Sequence, residues 1–226
     1  MGSVLTSIKR TLDVFFSKIY DLGFTYPLTI EVYRQEGARL SEKYGSRPFS
    51  LLDVGTATAT PLVQLLSTPD LSPRSVLAVD IDEGYLQTAT QNLQKFPFAK
   101  TRLQDFTTMS REDEPAGFDQ ILMGFSYMFM PSRPKTLEQI ASLLRPGGQA
   151  VLYLTLYTTP TPIKDWLKPK LKYLLSIDMG RALYQHEVIE EIEQSRMKII
   201  AFNRMESDGN IWMKTFNICR IVLESK

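Results

Sequence analysis

Between Pro48 and Ala150 short apolar runs alternate with stretches of helical periodicity, and this alternation constrains the chain more than any other feature. SLLDV, SVLAVD, AKTRLQD, FDQILMG and QAVLYLTLY read as strands, while PLVQLLS, GYLQTATQNL and PKTLEQIASLL read as helices. Strands regularly interrupted by helices imply right-handed crossovers, hence an α/β fold with a mainly parallel sheet and helices on both faces. The tail breaks the pattern. Residues 187–195 predict a helix, and MKIIAFNRME and TFNICRIVLE predict two strands joined through SDGN. Asp208-Gly209 is a hairpin signal, so the sheet is expected to end in an antiparallel C-terminal pair. Two extra helices are expected ahead of the sheet. One carries the stripe Val4, Leu5, Ile8, Leu12, Phe15, Phe16 and Ile19 at spacings of three and four. The second runs from about Thr29 to Tyr44, starting near Pro27 and stopping before Gly45.

A chain of 226 residues, 43% apolar, can bury one sizeable core. We divide it as one domain: an N-terminal helical cap (1–47), a core (48–155), a lid-like insert (156–185) and a C-terminal helix with its strand pair (186–226). The 26 basic and 25 acidic residues leave a net charge of +1, which gives no footprint for a phosphate backbone, so no nucleic-acid partner is expected. With Cys219 and His186 each single of their kind, an internal disulfide is impossible and a Cys/His zinc site lacks ligands. No metal is expected, and the simplest compartment is the cytoplasm. The sequence has no stretch suited to span a bilayer and no secretory signal order. Asp13 and the scarcity of arginine argue against a mitochondrial presequence. Gly2 with Thr6 matches a loose myristoylation pattern, for which chance is the plainer reading.

Two motifs carry the chemistry. In LLDVGTATAT (51–60) a strand closes on Asp53 and Val54, and Pro61 suits the first turn of a helix. Gly55 occupies the bend, where a residue without Cβ fits best. In SVLAVDID, Asp80 ends the next strand 25 residues after Gly55. An acid at that place is what recognition of ribose hydroxyls requires. Asp could instead cap the following helix, but Asp82 is better placed for that.

LLDVGTATA, VLAVDID, RLQDF, FDQILMGF and LLRPGGQAVL occur in this order with suitable gaps. The set resembles the class I, Rossmann-like methyltransferases that depend on S-adenosylmethionine (SAM). The resemblance implies a seven-stranded sheet and SAM as cofactor. It places Asp53, Gly55, Thr56 and Ala57 by the methionine end, Asp80 on the ribose and Ile81 against the adenine. Asp105 would accept from the adenine amino group, with Phe106 offering a backbone N–H or an apolar wall. Gly124 would let the fourth strand approach the reacting methyl. Asp119, at the start of that strand, belongs at the opposite end. Pro146-Gly147 in LLRPGG suits a type II turn. There is one departure: Ala57 and Ala59 replace two of the three alternating glycines of the family's first loop, and the Ala57 methyl could crowd the methionine moiety.

The acceptor side is marked by absences. No Asn/Asp-Pro-Pro-aromatic tetrad, no Pro-Cys nucleophile and no acidic cluster of the catechol-enzyme type is present. Gly124-Phe125-Ser126-Tyr127-Met128-Phe129-Met130 would make an adaptable wall for a small hydrophobic or aromatic acceptor, or serve as ordinary core. Substrate candidates are Tyr26, Phe125, Tyr127, Tyr157 and Trp166; candidates for a base are His186, Tyr20 and Tyr127. His186 at the start of QHEVIEEIEQ also suits a structural helix terminus, and Cys219 in a late strand suits the core. The 157–181 segment mixes Trp166, Leu167, Leu171 and Tyr173 with Lys164, Lys168, Lys170 and Lys172, which leaves open a peripheral membrane contact. The resulting expectation is metal-independent methyl transfer to a small molecule. The alternative is a degenerate relative that binds a partner. Oligomeric state is left open.

Overall fold

A computed structural model describes residues 26–112, 114, 116–159, 166, 182–205 and 217–226. The first expected helix, Tyr20, nearly all of the 157–181 insert and the Asp208-Gly209 turn lie outside the described residues, as does the side chain of Tyr26.

The elements follow the alternation: α1 (Tyr26–Tyr44), β1 (Phe49–Val54), α2 (Thr60–Leu66), β2 (Pro73–Asp80), α3 (Glu83–Leu93), β3 (Ala99–Leu103) and β4 (Phe118–Gly124). Then come α4 (Arg133–Leu143), β5 (Leu144–Tyr157), the two-residue β6 (Leu183–Tyr184), α5 (Gln185–Gln194), β7 (Met197–Arg204) and β8 (Ile218–Ser225). The sheet order is β3-β2-β1-β4-β5-β8-β7, with β6 beside the end of β5. β1 to β5 pair in parallel, and β8 runs antiparallel to both β5 and β7. This is the expected fold class. The parallel strands end together at Val54, Asp80, Leu103, Gly124 and Tyr157. In open sheets of this kind, ligands bind off those carboxyl ends where the strand order reverses, here between β1 and β4.

In LLRPGG the expected bend is carried within β5. β5 starts at Leu144, and the Pro-Gly-Gly residues lie inside it as an irregularity between the pairs Phe118–Leu144 and Gln120–Gln149. Gly147 does adopt positive φ (+76°). Pairing on both sides absorbs the bend that a separate turn would otherwise make.

Alternation along each strand divides the core. Leu52, Val54, Ile121, Met123, Leu152, Ile221 and Leu223 pack with Leu137, Ile140, Val188 and Ile192 of α4 and α5. Leu51, Ala78, Leu122, Val151, Ile218 and Val222 pack on the other face with α1, α2 and α3. Asp53 shares the face of Leu51, so it lies on the side that α1 covers. Cys219 is a buried thiol in the first layer.

α1 is not held by apolar contact alone. Its buried positions Thr29, Val32, Tyr33, Glu36 and Leu40 follow helical spacing, and three of them, Thr29, Tyr33 and Glu36, carry hydrogen-bonding groups. Glu36, 1% exposed, accepts from Arg220 Nε at 2.7 Å and Nη2 at 2.9 Å, and from the Tyr153 hydroxyl at 2.5 Å. Near the end of the helix Lys43 Nζ donates to Gln149 Oε1, and the Tyr44 hydroxyl donates to the Asp119 carbonyl. α1 therefore runs from the carboxyl ends of the strands down to their amino ends. Among the described residues no helix is long and apolar enough to cross a membrane.

Removing Arg220 leaves the buried Glu36 with the Tyr153 hydroxyl and the more distant, half-exposed Arg39 guanidinium at 3.8 Å. Arg220→Ala is expected to lower the unfolding free energy by about 3–5 kcal/mol, and an apolar replacement of both Glu36 and Arg220 to recover most of it. Urea unfolding at neutral pH measures both.

Candidate functional site at the strand ends

The bend after β1 brings backbone and carboxylates together. Gly55 has φ +71°, and a Cβ there would come 2.6 Å from Ser126 Cβ, in the segment that follows β4. Gly55 and Thr56 donate their N–H groups to the Val79 carbonyl at 2.9 and 3.1 Å, tying the loop to β2. Ala57 and Ala59 take φ +48° and +57°. Two alanines thus keep a left-handed backbone that costs an L-residue about 1–2 kcal/mol at each position.

Asp80 faces this loop. Its Oδ2 accepts from Ala57 N–H at 2.8 Å and its Oδ1 from Asp82 N–H at 3.0 Å. Both oxygens are thereby oriented, and each keeps accepting capacity for a further donor. Asp82, not Asp80, caps α3 by accepting from Tyr85 N–H at 2.9 Å. Ile81 is 74% exposed immediately beyond Asp80, and Leu103, register partner of Asp80, is also exposed. Together they form an apolar flank beside a fixed carboxylate. Asp105 is exposed; its Oδ1 accepts from Thr107 N–H and Oγ1 at 2.8 Å, capping a short 3-10 turn over Phe106–Thr108. The Phe106 side chain is buried in the α4/α5 layer and gives no exposed wall.

Asp53 is 1% exposed. Its Oδ1 accepts from the Tyr33 hydroxyl at 2.7 Å, and its Oδ2 has no hydrogen-bond partner among the described residues. The buried Thr56 hydroxyl lies beside it, likewise without a bond of good geometry. Burial pushes the Asp53 carboxyl up to about 6; the Thr56 and Tyr33 hydroxyls hold it back and the charge of Asp80 adds to the rise. Burial also pushes the Tyr33 phenol well above its usual range, and the charge of Asp53 adds to that. Tyr33 and Glu36 escaped the sequence analysis. The spacing of α1 carried the signal, since both fall on the face marked by Val32 and Leu40.

Several expected placements change. A Cβ on Gly124 would collide with the Tyr33 ring, so the space before that glycine is filled by α1 rather than left open. Tyr127 is fully buried in the α4/α5 layer, where Glu191 and Arg133 influence its hydroxyl, and burial pushes that phenol above its usual range. Its ring packs in the core, and its hydroxyl has no hydrogen-bond partner among the described residues. Phe125 adopts φ +67°, pinned by its N–H to the Tyr153 carbonyl at 3.1 Å, and packs partly buried against the α1 layer. Tyr157, Tyr184 and His186 form a run of rings at the end of β5, with centroids 6.4 and 5.9 Å apart. His186 is exposed in the first turn of α5, and Trp166 is exposed. Asp119 sits at the amino edge as expected, accepting from Ser50 and paired with Arg145.

Comparison with known proteins agrees with this geometry. Residues 52–150 match the family model described as a methyltransferase domain. The polyketide synthase component of lovastatin nonaketide synthase from Aspergillus terreus is 26% identical over 145 residues, which is 62% of this chain and 5% of that protein. Demethylmenaquinone methyltransferase from Symbiobacterium thermophilum is 26% identical over 136 residues, 53% of each chain. The chain thus spans a small fraction of the first relative and about half of the second. The solved structure of Burkholderia thailandensis 1,6-didemethyltoxoflavin-N1-methyltransferase, with bound 1,6-didemethyltoxoflavin and S-adenosylhomocysteine, has a TM-score of 0.64 at 17% identity, covering 98% of this chain and 90% of that one. The similarity to a methyltransferase domain thus covers residues 52–150, a little under half of the chain.

The raised Asp53 carboxyl has a measurable consequence. Its folded value lies above the ordinary value of about 4, so the folded state binds this proton more tightly than the unfolded chain. This contribution to stability is full below about pH 4 and is lost as pH rises to about 6. Relative to Asp53→Asn, the wild type should lose on the order of 2 kcal/mol across that window. Urea midpoints measured from pH 4 to 7.5 on both proteins test this; parallel curves would contradict it.

Proposed function

We propose that this protein binds SAM at the strand ends and transfers its methyl group to a small acceptor. The observation that carries this reading is Asp80: an acid at the end of β2 whose two oxygens are aimed by Ala57 and Asp82, beside the exposed Ile81 and within the family-matched segment. The orphaned Asp53 Oδ2 fits the same ligand, since a buried carboxylate oxygen without a donor suits an ammonium group. Bound SAM supplies a methyl group activated on a sulfonium. Asp80 would accept from the ribose hydroxyls, Ile81 would flank the adenine, Asp105 would accept from its amino group, and Asp53 with Thr56 would receive the methionine end.

The contribution of the chain to transfer is then orientation and exclusion of water, which can supply most of the required acceleration. No base is assigned. His186 is exposed in the first turn of α5 and Tyr127 faces the core. The proposed mechanism uses no metal. A small hydrophobic or aromatic acceptor is supported by Phe125 and Tyr157 at the ends of β4 and β5 and by the acceptor names of two similar proteins, demethylmenaquinone and 1,6-didemethyltoxoflavin. We assign the cover over the acceptor to the chain before Pro48 and to the 156–185 insert. The left-handed backbone kept at Ala57 and Ala59 argues against a degenerate loop.

Titration calorimetry with SAM tests the reading. Saturable binding is expected, and Asp80→Ala should weaken it by about 1.5–3 kcal/mol as a charged acceptor is lost. Ala57→Gly should bind equally or more tightly, because the glycine keeps the same φ without strain. Wild-type protein that shows no saturation at millimolar SAM would overturn the assignment.

A further inference from the structure

We propose that Tyr33 is a positioning residue of the methyl-donor site: its hydroxyl fixes the Asp53 carboxylate so that the free Oδ2 is presented to the ammonium of the donor. The inference rests on the SAM reading above and adds a residue from outside the segment matched by the family model, which begins at residue 52.

Three observations carry it. The Tyr33 hydroxyl donates to Asp53 Oδ1 at 2.7 Å, which removes the freedom of the carboxylate to rotate. Asp53 Oδ2 is buried with no partner among the described residues, and a buried acceptor left in that state is costly unless something else completes it. Gly124 opens the space that the Tyr33 ring occupies, so the end of β4 is shaped around this side chain. One helical turn along α1, the Glu36–Arg220 pair holds the helix to β8, so Tyr33 does not depend on the ligand for its place. The groups facing Asp53 are Tyr33 from α1, Thr56 from the loop and Asp80 from β2, with Tyr153 of β5 bearing on Tyr33. None of these is a cation. An incoming ammonium would therefore be the first positive charge to reach the carboxylate. Tyr33 acts in the opposite sense from Asp80: a hydrogen bond to the ionised form favours ionisation, and a like charge opposes it.

The experiment is SAM titration calorimetry on the full chain at pH values from 5 to 8, with thermal unfolding recorded for each variant. Tyr33→Phe is expected to raise the Kd about tenfold at pH 7.5. It should also shift the acid loss of affinity to higher pH, since Asp53 no longer receives the bond that favours its charge. In an Asp53→Asn background the same change should leave the Kd within about twofold, because a residue acting through Asp53 has nothing left to act on. Gly124→Ala, which displaces the ring while keeping the phenol, is a second route and should reproduce both the loss and its disappearance in Asp53→Asn. Unchanged affinity in Tyr33→Phe and Gly124→Ala, while the wild type binds, overturns the proposal. So does a loss that persists in Asp53→Asn, which would mark Tyr33 as packing alone. Absence of binding by the wild type would instead fell the SAM reading itself.

Discussion

Two carboxylates lie beneath α1 with almost no water, Glu36 from the helix and Asp53 from β1, and how each is compensated shapes this side of the molecule. Burying a carboxylate costs several kcal/mol unless donors replace its hydration. Glu36 is fully provided for: a guanidinium grips both oxygens and a tyrosine donates to one of them. That pairing ties α1 to β8, joining the beginning of the described chain to its last strand. Asp53 receives a single phenol on one oxygen and faces a second acid, Asp80, across the site. The first arrangement is finished and serves the fold. The second is unfinished: its other oxygen is buried with no hydrogen-bond partner among the described residues.

The strand-end loop shows the same division between stability and use. Ala57, Ala59 and Phe125 all hold positive φ. Such conformations persist only where surrounding bonds impose them. Here the anchors are the two N–H groups held by the Val79 carbonyl, the Ala57 N–H held by Asp80, and the Phe125 N–H held by Tyr153. The strained residues border the reversal point between β1 and β4, where the sheet leaves a crevice. The acids Asp53 and Asp80 lie at this edge, while at the opposite edge Asp119 accepts from Ser50 and pairs with Arg145.

The sheet and its strand-end acids were legible in the chain because they depend on local patterns. Runs such as SVLAVD and FDQILMG can bury themselves only as inner strands, and an acid closing such a run must appear at the ligand edge. The parallel sheet and its antiparallel ending followed from the strand–helix alternation and the two late strands, whereas the order β3-β2-β1-β4-β5 came from the structure. The Pro146-Gly147 bend was legible too, but the partner strand, not the Pro-Gly pair, decides that it is carried inside β5. The burial of Tyr127 was not legible, because a short turn after a strand rotates side chains by an amount no periodicity records.

By itself the sequence determined the parallel sheet, the position of Asp53 and Asp80 at its carboxyl edge and the probe-worthy loop between Gly55 and Ala59. Those outcomes rest on spacing along one strand or one turn. Tertiary structure alone decided what α1 does. That Tyr33 reaches Asp53, that Glu36 meets Arg220 across 184 positions of chain, and that Gly124 makes room for a ring rather than a ligand all depend on how a helix settles on a sheet face. The physical reason is that a hydrogen bond between distant residues is set by distance and direction in space. The linear pattern shows only that a polar residue occupies a buried face, not which group will satisfy it.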